Sequence, residues 1–164
     1  MLAGTTALAG CSSGATSKSN SRFRRYNGPD VTHVVVSKRR RKMWLMNDQR
    51  VLKKYNIELG FAPDGHKQFE GDGKTPEGTY RIDRRNPNSD FHLSLGISYP
   101  NRRDVAFAAA NGKSAGGEIF IHGMPNKRRG TGPDWTAGCI SVKNHQIEEI
   151  YAMVKNGTYI TIYP

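Results

Sequence analysis

Between Ile119 and Val142 the chain reads Ile119-Phe120-Ile121-His122-Gly123, then a loop of Met, Pro, Asn, Lys, Arg, Gly and Thr, then Asp134-Trp135-Thr136-Ala137-Gly138-Cys139-Ile140. The alternation over Glu118 to His122 predicts a strand that delivers His122 at its end. Cys139 stands between a glycine and an apolar residue. That setting suits a nucleophile at a strand edge, because the glycine leaves room for substrate and nearby backbone amides can face an oxyanion. Residue types alone leave an equal alternative, a buried structural cysteine beside a loop histidine.

Working outward, short β-type segments recur on both sides. Thr32 to Ser37 contains the β-branched run Val34-Val35-Val36, and the basic turn Lys38 to Lys42 reads as a solvated hairpin tip. Met43 to Met46 returns, and after Asn47-Asp48 a third strand runs from Val51 to Leu59, giving an antiparallel meander. Phe61 to Gly78 is rich in Gly, Pro and Asp and reads as loop. Further strands are expected at Thr79 to Asp83, Phe91 to Tyr99 and Tyr159 to Tyr163. Asn101 can cap a short helix through Ala110, and Asn144 a second one with Ile147, Ile150, Tyr151 and Val154 on one face. No βαβ alternation occurs, so the expected fold is mostly β and mostly antiparallel, with two short helices.

The 164 residues and 36% apolar content suit one domain with one modest core. No apolar run approaches the roughly 18 residues of a membrane span. With 25 Lys and Arg against 14 Asp and Glu the formal charge is +11, which favours polyanionic surroundings. Nucleic acid is not the expected partner, because the basic residues are scattered over hairpins without interleaved aromatic platforms. His33, His66, His92 and His145 lack ligand-like spacing with one another or with Cys139. They read as surface or local hydrogen-bonding residues, and no metal or other cofactor is expected.

At the N-terminus, Leu8-Ala9-Gly10-Cys11 followed by Ser12 and Ser13 resembles a bacterial lipobox. The resemblance implies lipidation of Cys11, export, and a membrane anchor, with Ser12 leaning towards the outer membrane. No basic n-region precedes the apolar part, so Met1 reads as an internal start and residues 1–11 as a signal remnant. Residues 12–29 are expected to form a flexible tether, Ser12 to Ser21 having nothing to bury. The domain is expected over residues 30–164. Cys139 would then be its only thiol, excluding an intramolecular disulfide.

His122, Gly123 and the run Thr136-Ala137-Gly138-Cys139, with 17 residues from His to Cys, are similar to the signature of the L,D-transpeptidase catalytic (YkuD-type) domain. Lys74-Thr75-Pro76-Glu77-Gly78 resembles the family's upstream turn, and Ser98-Tyr99-Pro100-Asn101 a segment of its single-domain members. The resemblance spans about Thr32 to Pro164 and implies a β-sandwich-like catalytic domain. Cys139 would attack the L-centre carbonyl of a peptidoglycan tetrapeptide stem, D-Ala would leave, and a thioester acyl-enzyme would pass to an amine in a 3→3 cross-link. His122 would act as base and hold Cys139 as thiolate, with the Gly123 carbonyl orienting the ring. The Gly138 and Cys139 amides would face the oxyanion, and Tyr99, Asn101, Trp135 and Thr136 would meet the stem. For Trp135, packing under the loop is an equal alternative. The sequence departs from the family at Ser141, where many members have Arg or Asn, and at Ala137, where some have His.

Three readings follow. The first is an exported periplasmic or cell-envelope acyltransferase, monomeric, acting on stem peptides. A close variant is an L,D-carboxypeptidase that uses water as acceptor. The third is a non-catalytic wall-binding lipoprotein, which would leave Cys139 and His122 without a role.

Overall fold

The computed structural model describes residues 21–126 and 132–164. Cys11, the lipobox-like run and the first part of the expected tether lie outside the described residues. Residues 21–29 contain no helix or strand, yet Arg24 pairs with Glu148 at 2.8 Å, and the Phe23 and Tyr151 rings lie 6.3 Å apart.

Strands β1 (His33–Ser37), β2 (Lys42–Asn47) and β3 (Arg50–Asn56) form the expected antiparallel meander. Val34, Val36, Met43 and Leu45 point into the core at every second position, each fully buried, which contributes about 1.5–3 kcal/mol per side chain. In β3 only Tyr55 is buried; Arg50, Lys53 and Lys54 leave this edge charged, which discourages pairing with another chain. β4 (Gly78–Asn86) is longer than expected and β5 (Ser94–Ile97) shorter, followed by β6 (Phe120–His122) and β7 (Ile140–Ser141). The final strand β8 (Tyr159–Tyr163) inserts between β1 and β4, giving one eight-stranded sheet in the order β3-β2-β1-β8-β4-β5-β6-β7.

Two contacts depart from a purely antiparallel pattern: β8 runs parallel to β1, and β7 parallel to β6. The N-terminal half of β4 pairs with β8 and the C-terminal half with β5, with a register shift between Ile82 and Arg84. A bulge of this kind bends a strand, and here it turns the sheet from its regular half to the half that carries His122 and Cys139. Helix α1 (Arg102–Ala110) begins as expected at Asn101, with Asp104 completing a capping box. Helix α2 (Asn144–Met153) lays Ile147, Ile150 and Met153 on the core, near β5 and β6.

Several expectations are corrected. The third strand stops at Asn56 because Glu58 turns away to bridge Ser141, and Gly60 to bridge Thr136. The strand expected from Phe91 starts only at Ser94, since His92 takes a left-handed φ of 73°. Lys143, not Asn144, is the N-cap of α2; its amide meets Gln146 Oε1 at 3.0 Å. The Lys38–Lys42 turn is not simply solvated: Lys38 is 3% exposed and its ammonium donates to the Thr75 carbonyl at 3.0 Å and to Glu77 at 2.8 Å. A buried ammonium is tolerated only with such partners, and Lys38 has them. No helix among the described residues is long and apolar enough to cross a membrane.

Candidate active site

His122 ends β6, where the ladder fixes its backbone on both sides: it lies opposite Ser94 of β5 and Ser141 of β7. The residue is 3% exposed, and its ring lies 4.5 Å from Phe91 and, edge-on, 5.6 Å from Trp135. Nδ1 is 2.7 Å from the Gly123 carbonyl oxygen. A carbonyl can only accept, so Nδ1 carries the proton and Nε2 of the neutral ring keeps its lone pair. Position 123 has no room for a side chain: a Cβ would stand 2.6 Å from Asn144 Oδ1 and 2.9 Å from the Phe91 carbonyl. Asn144 Oδ1 accepts from the Met124 amide at 2.7 Å, so a residue expected to cap a helix instead shapes the turn after the histidine.

Cys139 is half-buried, immediately before β7. Its sulfur accepts from the Phe120 amide and donates to the Glu118 carbonyl, each at 3.4 Å. Gly138 has φ +130°, and a Cβ there would sit 2.6 Å from the Lys74 carbonyl. The turn singled out at Lys74 to Gly78 thus lies against the cysteine loop, and only glycine meets both demands at position 138. Thr136 Oγ1 donates to the Cys139 carbonyl at 2.7 Å and accepts from the Gly138 amide at 3.2 Å. The Gly138 amide, expected to face an oxyanion, is therefore occupied. The Cys139 amide meets no acceptor among the described residues.

Cys139 and His122 line one cavity of about 320 Å³, together with Phe91, Ser94, Glu118 and Phe120. Burial pushes the Cys139 thiol up to about 11, with the Glu118 carboxylate pushing the same way, against the Phe120 amide and Lys67. Burial also lowers His122 from its ordinary value, opposed by the Gly123 hydrogen bond. Both shifts favour the neutral thiol and the neutral imidazole over a standing thiolate–imidazolium pair. A general-base histidine suits this pair, taking the proton as the sulfur attacks.

The other expected site residues divide. Trp135 stands against His122 and Phe91, and its buried indole N–H has no partner among the described residues. Thr136 is 4% exposed and spends its hydroxyl on the cysteine loop. Tyr99 is 4% exposed, its hydroxyl donating to the Ala115 carbonyl at 3.1 Å, and the Asn101 side chain caps α1. Neither Tyr99 nor Asn101 lines the cysteine cavity. Phe91 and Glu118 do, and neither carried a recognisable signal; Phe91 sat in an expected strand, and Glu118 at the start of one. Among the described residues no group of three His, Cys, Asp or Glu could hold a metal ion.

Comparison with known proteins bears on the family and the fold. The family model of the L,D-transpeptidase catalytic domain, YkuD, matches residues 31–162. The chain is 29% identical to "Putative L,D-transpeptidase YafK" of Escherichia coli (strain K12), over 96% of this chain and 63% of that protein. Among solved structures it is similar to the helical cell shape determining protein Pgp2 of Campylobacter jejuni, at 26% identity and a TM-score of 0.62, over 84% of this chain and 49% of that one. It also superposes on L,D-transpeptidase 1 of Mycobacterium tuberculosis, at 13% identity and a TM-score of 0.53, over 82% of this chain and 62% of that one, a likeness of fold. The chain thus spans less than two thirds of each of these proteins.

Proposed function

The chain belongs to the L,D-transpeptidase catalytic-domain family, and from that premise we propose that it is a cysteine acyltransferase acting on peptidoglycan stem peptides outside the cytoplasm. One observation carries the chemistry: Cys139 and His122 share a cavity, and the tie from His122 Nδ1 to the Gly123 carbonyl leaves Nε2 able to take a proton. The names of the relatives, an L,D-transpeptidase and a cell-shape protein, support a wall substrate.

In this reading the thiol proton passes to His122 Nε2 as Cys139 Sγ bonds to the carbonyl carbon at the L-centre of a tetrapeptide stem. The free Cys139 amide faces the oxyanion so formed; a donor in that position typically contributes about 3 kcal/mol. The imidazolium then protonates the departing amine of the D-residue, and a thioester remains. An incoming amine gives up a proton to His122, attacks the thioester and restores the thiol, leaving a 3→3 cross-link or another amide. Water in place of the amine would release a tripeptide. The basic surface suits an enzyme working against anionic wall polymers. Lipidation of Cys11 would hold it at a membrane of the envelope.

The test is to incubate the full chain with a disaccharide-tetrapeptide and follow products by mass spectrometry, with Cys139→Ala in parallel. D-Ala release with a thioester adduct on Cys139 is expected, and neither with the variant. A dimer reports transpeptidation and a tripeptide hydrolysis. Absence of both D-Ala and adduct would sink the enzyme reading.

A further inference from the structure

The cysteine loop is fastened at its start by an ion pair to the far side of the sheet. Arg41, in the β1–β2 turn, directs Nε to both carboxylate oxygens of Asp134, at 3.0 and 3.1 Å, and a second nitrogen to Oδ2 at 2.6 Å. Asp134 Oδ1 also accepts from the Leu59 amide at 3.0 Å, while the Asp134 amide donates to the Glu58 carboxylate at 2.8 Å. Both partners have left-handed backbones, Arg41 at φ 49° and Asp134 at φ 49°, although neither is glycine. Such conformations persist where the surroundings over-determine them, and they gather at sites where geometry matters.

The segment Ile57 to Phe61 lies between the two. On one side Ile57 donates to the Arg41 carbonyl at 3.1 Å; on the other, Phe61 donates to the Thr136 carbonyl at 2.9 Å and Thr136 to the Leu59 carbonyl at 3.1 Å. Farther along, Glu58 and Ser141 exchange two backbone bonds of 2.9 Å. The run from Asp134 to Ser141 is therefore clamped at both ends, and Trp135 and Cys139 sit inside the clamp. Those bonds join backbone groups; the Arg41–Asp134 pair is the part of the clamp made by side chains alone. An arginine fits this place because its planar fork engages both oxygens while the same carboxylate serves the Leu59 amide; a lysine would offer a point charge.

We propose that Arg41 and Asp134 are a positioning pair for the nucleophile: they set the start of the cysteine loop so that Trp135 closes on His122 and Cys139 Sγ stands in the reaction cavity. Neither touches the reacting atoms; they act through the loop. The turnover arm of the test below rests on the cysteine-acyltransferase reading, and the alkylation arm does not.

The experiment compares Arg41→Ala, Arg41→Lys and Asp134→Asn with the parent in the full chain, after thermal melts have fixed a temperature at which each is folded. For Arg41→Ala and Asp134→Asn, kcat on disaccharide-tetrapeptide should fall about tenfold or more while KM stays within about threefold, since the geometry of attack is lost and the peptide contacts are not. Arg41→Lys should fall between. Millimolar guanidinium should restore part of the kcat of Arg41→Ala, and none of that of Asp134→Asn. In the second arm, the pH dependence of Cys139 alkylation by iodoacetamide should show a lower midpoint in Arg41→Ala, because a loosened loop admits water to the thiol. The proposal is overturned by a folded Arg41→Ala protein whose alkylation midpoint matches the parent's, or whose kcat stays within threefold. If the parent turns over no peptide, the acyltransferase reading fails by itself and the alkylation arm still decides the positioning role.

Discussion

His122 and Cys139 meet in one cavity but are held there differently. The histidine sits in a strand: the ladder to β5 and β7 fixes its backbone, the next residue's carbonyl fixes its tautomer, and Phe91 and Trp135 flank its ring. The cysteine lies just outside a strand, and the groups that place its loop come from distant parts of the chain: the Lys74 carbonyl beneath Gly138, Leu59 against Thr136, Arg41 on Asp134. The histidine is thus set mainly by sheet register and the cysteine by tertiary contacts. Register changes only if the whole strand slips, whereas a loop yields to any one of its supports. Perturbing the scaffold should therefore reach Cys139 before His122.

The largest expected effect concerns the ionisation of the pair. With the thiol at about 11, the rate of Cys139 alkylation should climb about tenfold per pH unit between pH 7 and 9, roughly a hundredfold in all, without a neutral plateau. Turnover should rise with pH as well, but over a lower range: in the proposed mechanism His122 accepts a proton only when neutral, and burial has lowered it, so activity should be lost only as pH falls below about 6.5. Peptide mapping of the alkylated cysteine against a pH–kcat profile checks both. A flat alkylation rate through neutrality would mean a standing thiolate–imidazolium pair, with burial failing to hold the two groups neutral.

A smaller effect separates the two glycines. Gly138→Ala places a Cβ 2.6 Å from a backbone carbonyl at φ +130°, so neither neighbour nor backbone can relax cheaply, and a loss of about 3 kcal/mol in urea unfolding is expected. Gly123→Ala meets first the end of the Asn144 side chain, which can rotate away, and then the Phe91 carbonyl at 2.9 Å; about 1–2 kcal/mol is expected. If Gly123→Ala proves the more costly, the histidine depends on its surroundings as much as the cysteine does.

The same contrast explains what the sequence made legible. Val34, Val36, Met43 and Leu45 announce their strands by alternation, because one face of each strand is buried and the period of two is written directly into side-chain polarity. The His-Gly and Thr-x-Gly-Cys runs were readable through their resemblance to a family signature rather than through periodicity; what crowds the two glycines, Asn144 and Phe91 at Gly123 and Lys74 at Gly138, is distant in the chain. The insertion of β8 between β1 and β4 was not readable, since pairing partners are chosen by the packed whole. Nor were the buried roles of Lys38 and Arg41. A run of basic residues looks the same whether it is solvated or reaches back to Glu77 and Asp134, and those partners stand 39 and 93 residues away in the chain.

Asn101 gives the smallest effect and the sharpest control. Expected to meet the stem peptide, it instead spends its side chain on the Arg103 and Asp104 amides at the start of α1, with Asp104 returning a bond to its own amide. Removing such a cap costs about 1 kcal/mol, so Asn101→Ala should lower stability by that amount in urea unfolding. Because the helix is held apart from the cysteine cavity, kcat and KM should both stay within about twofold. Asn101→Asp, which keeps the acceptor, should recover the stability. A rise in KM for Asn101→Ala at unchanged kcat would place the peptide along α1 after all, and would show that the scaffold near the helix reads substrate rather than merely carrying the loop that holds Cys139.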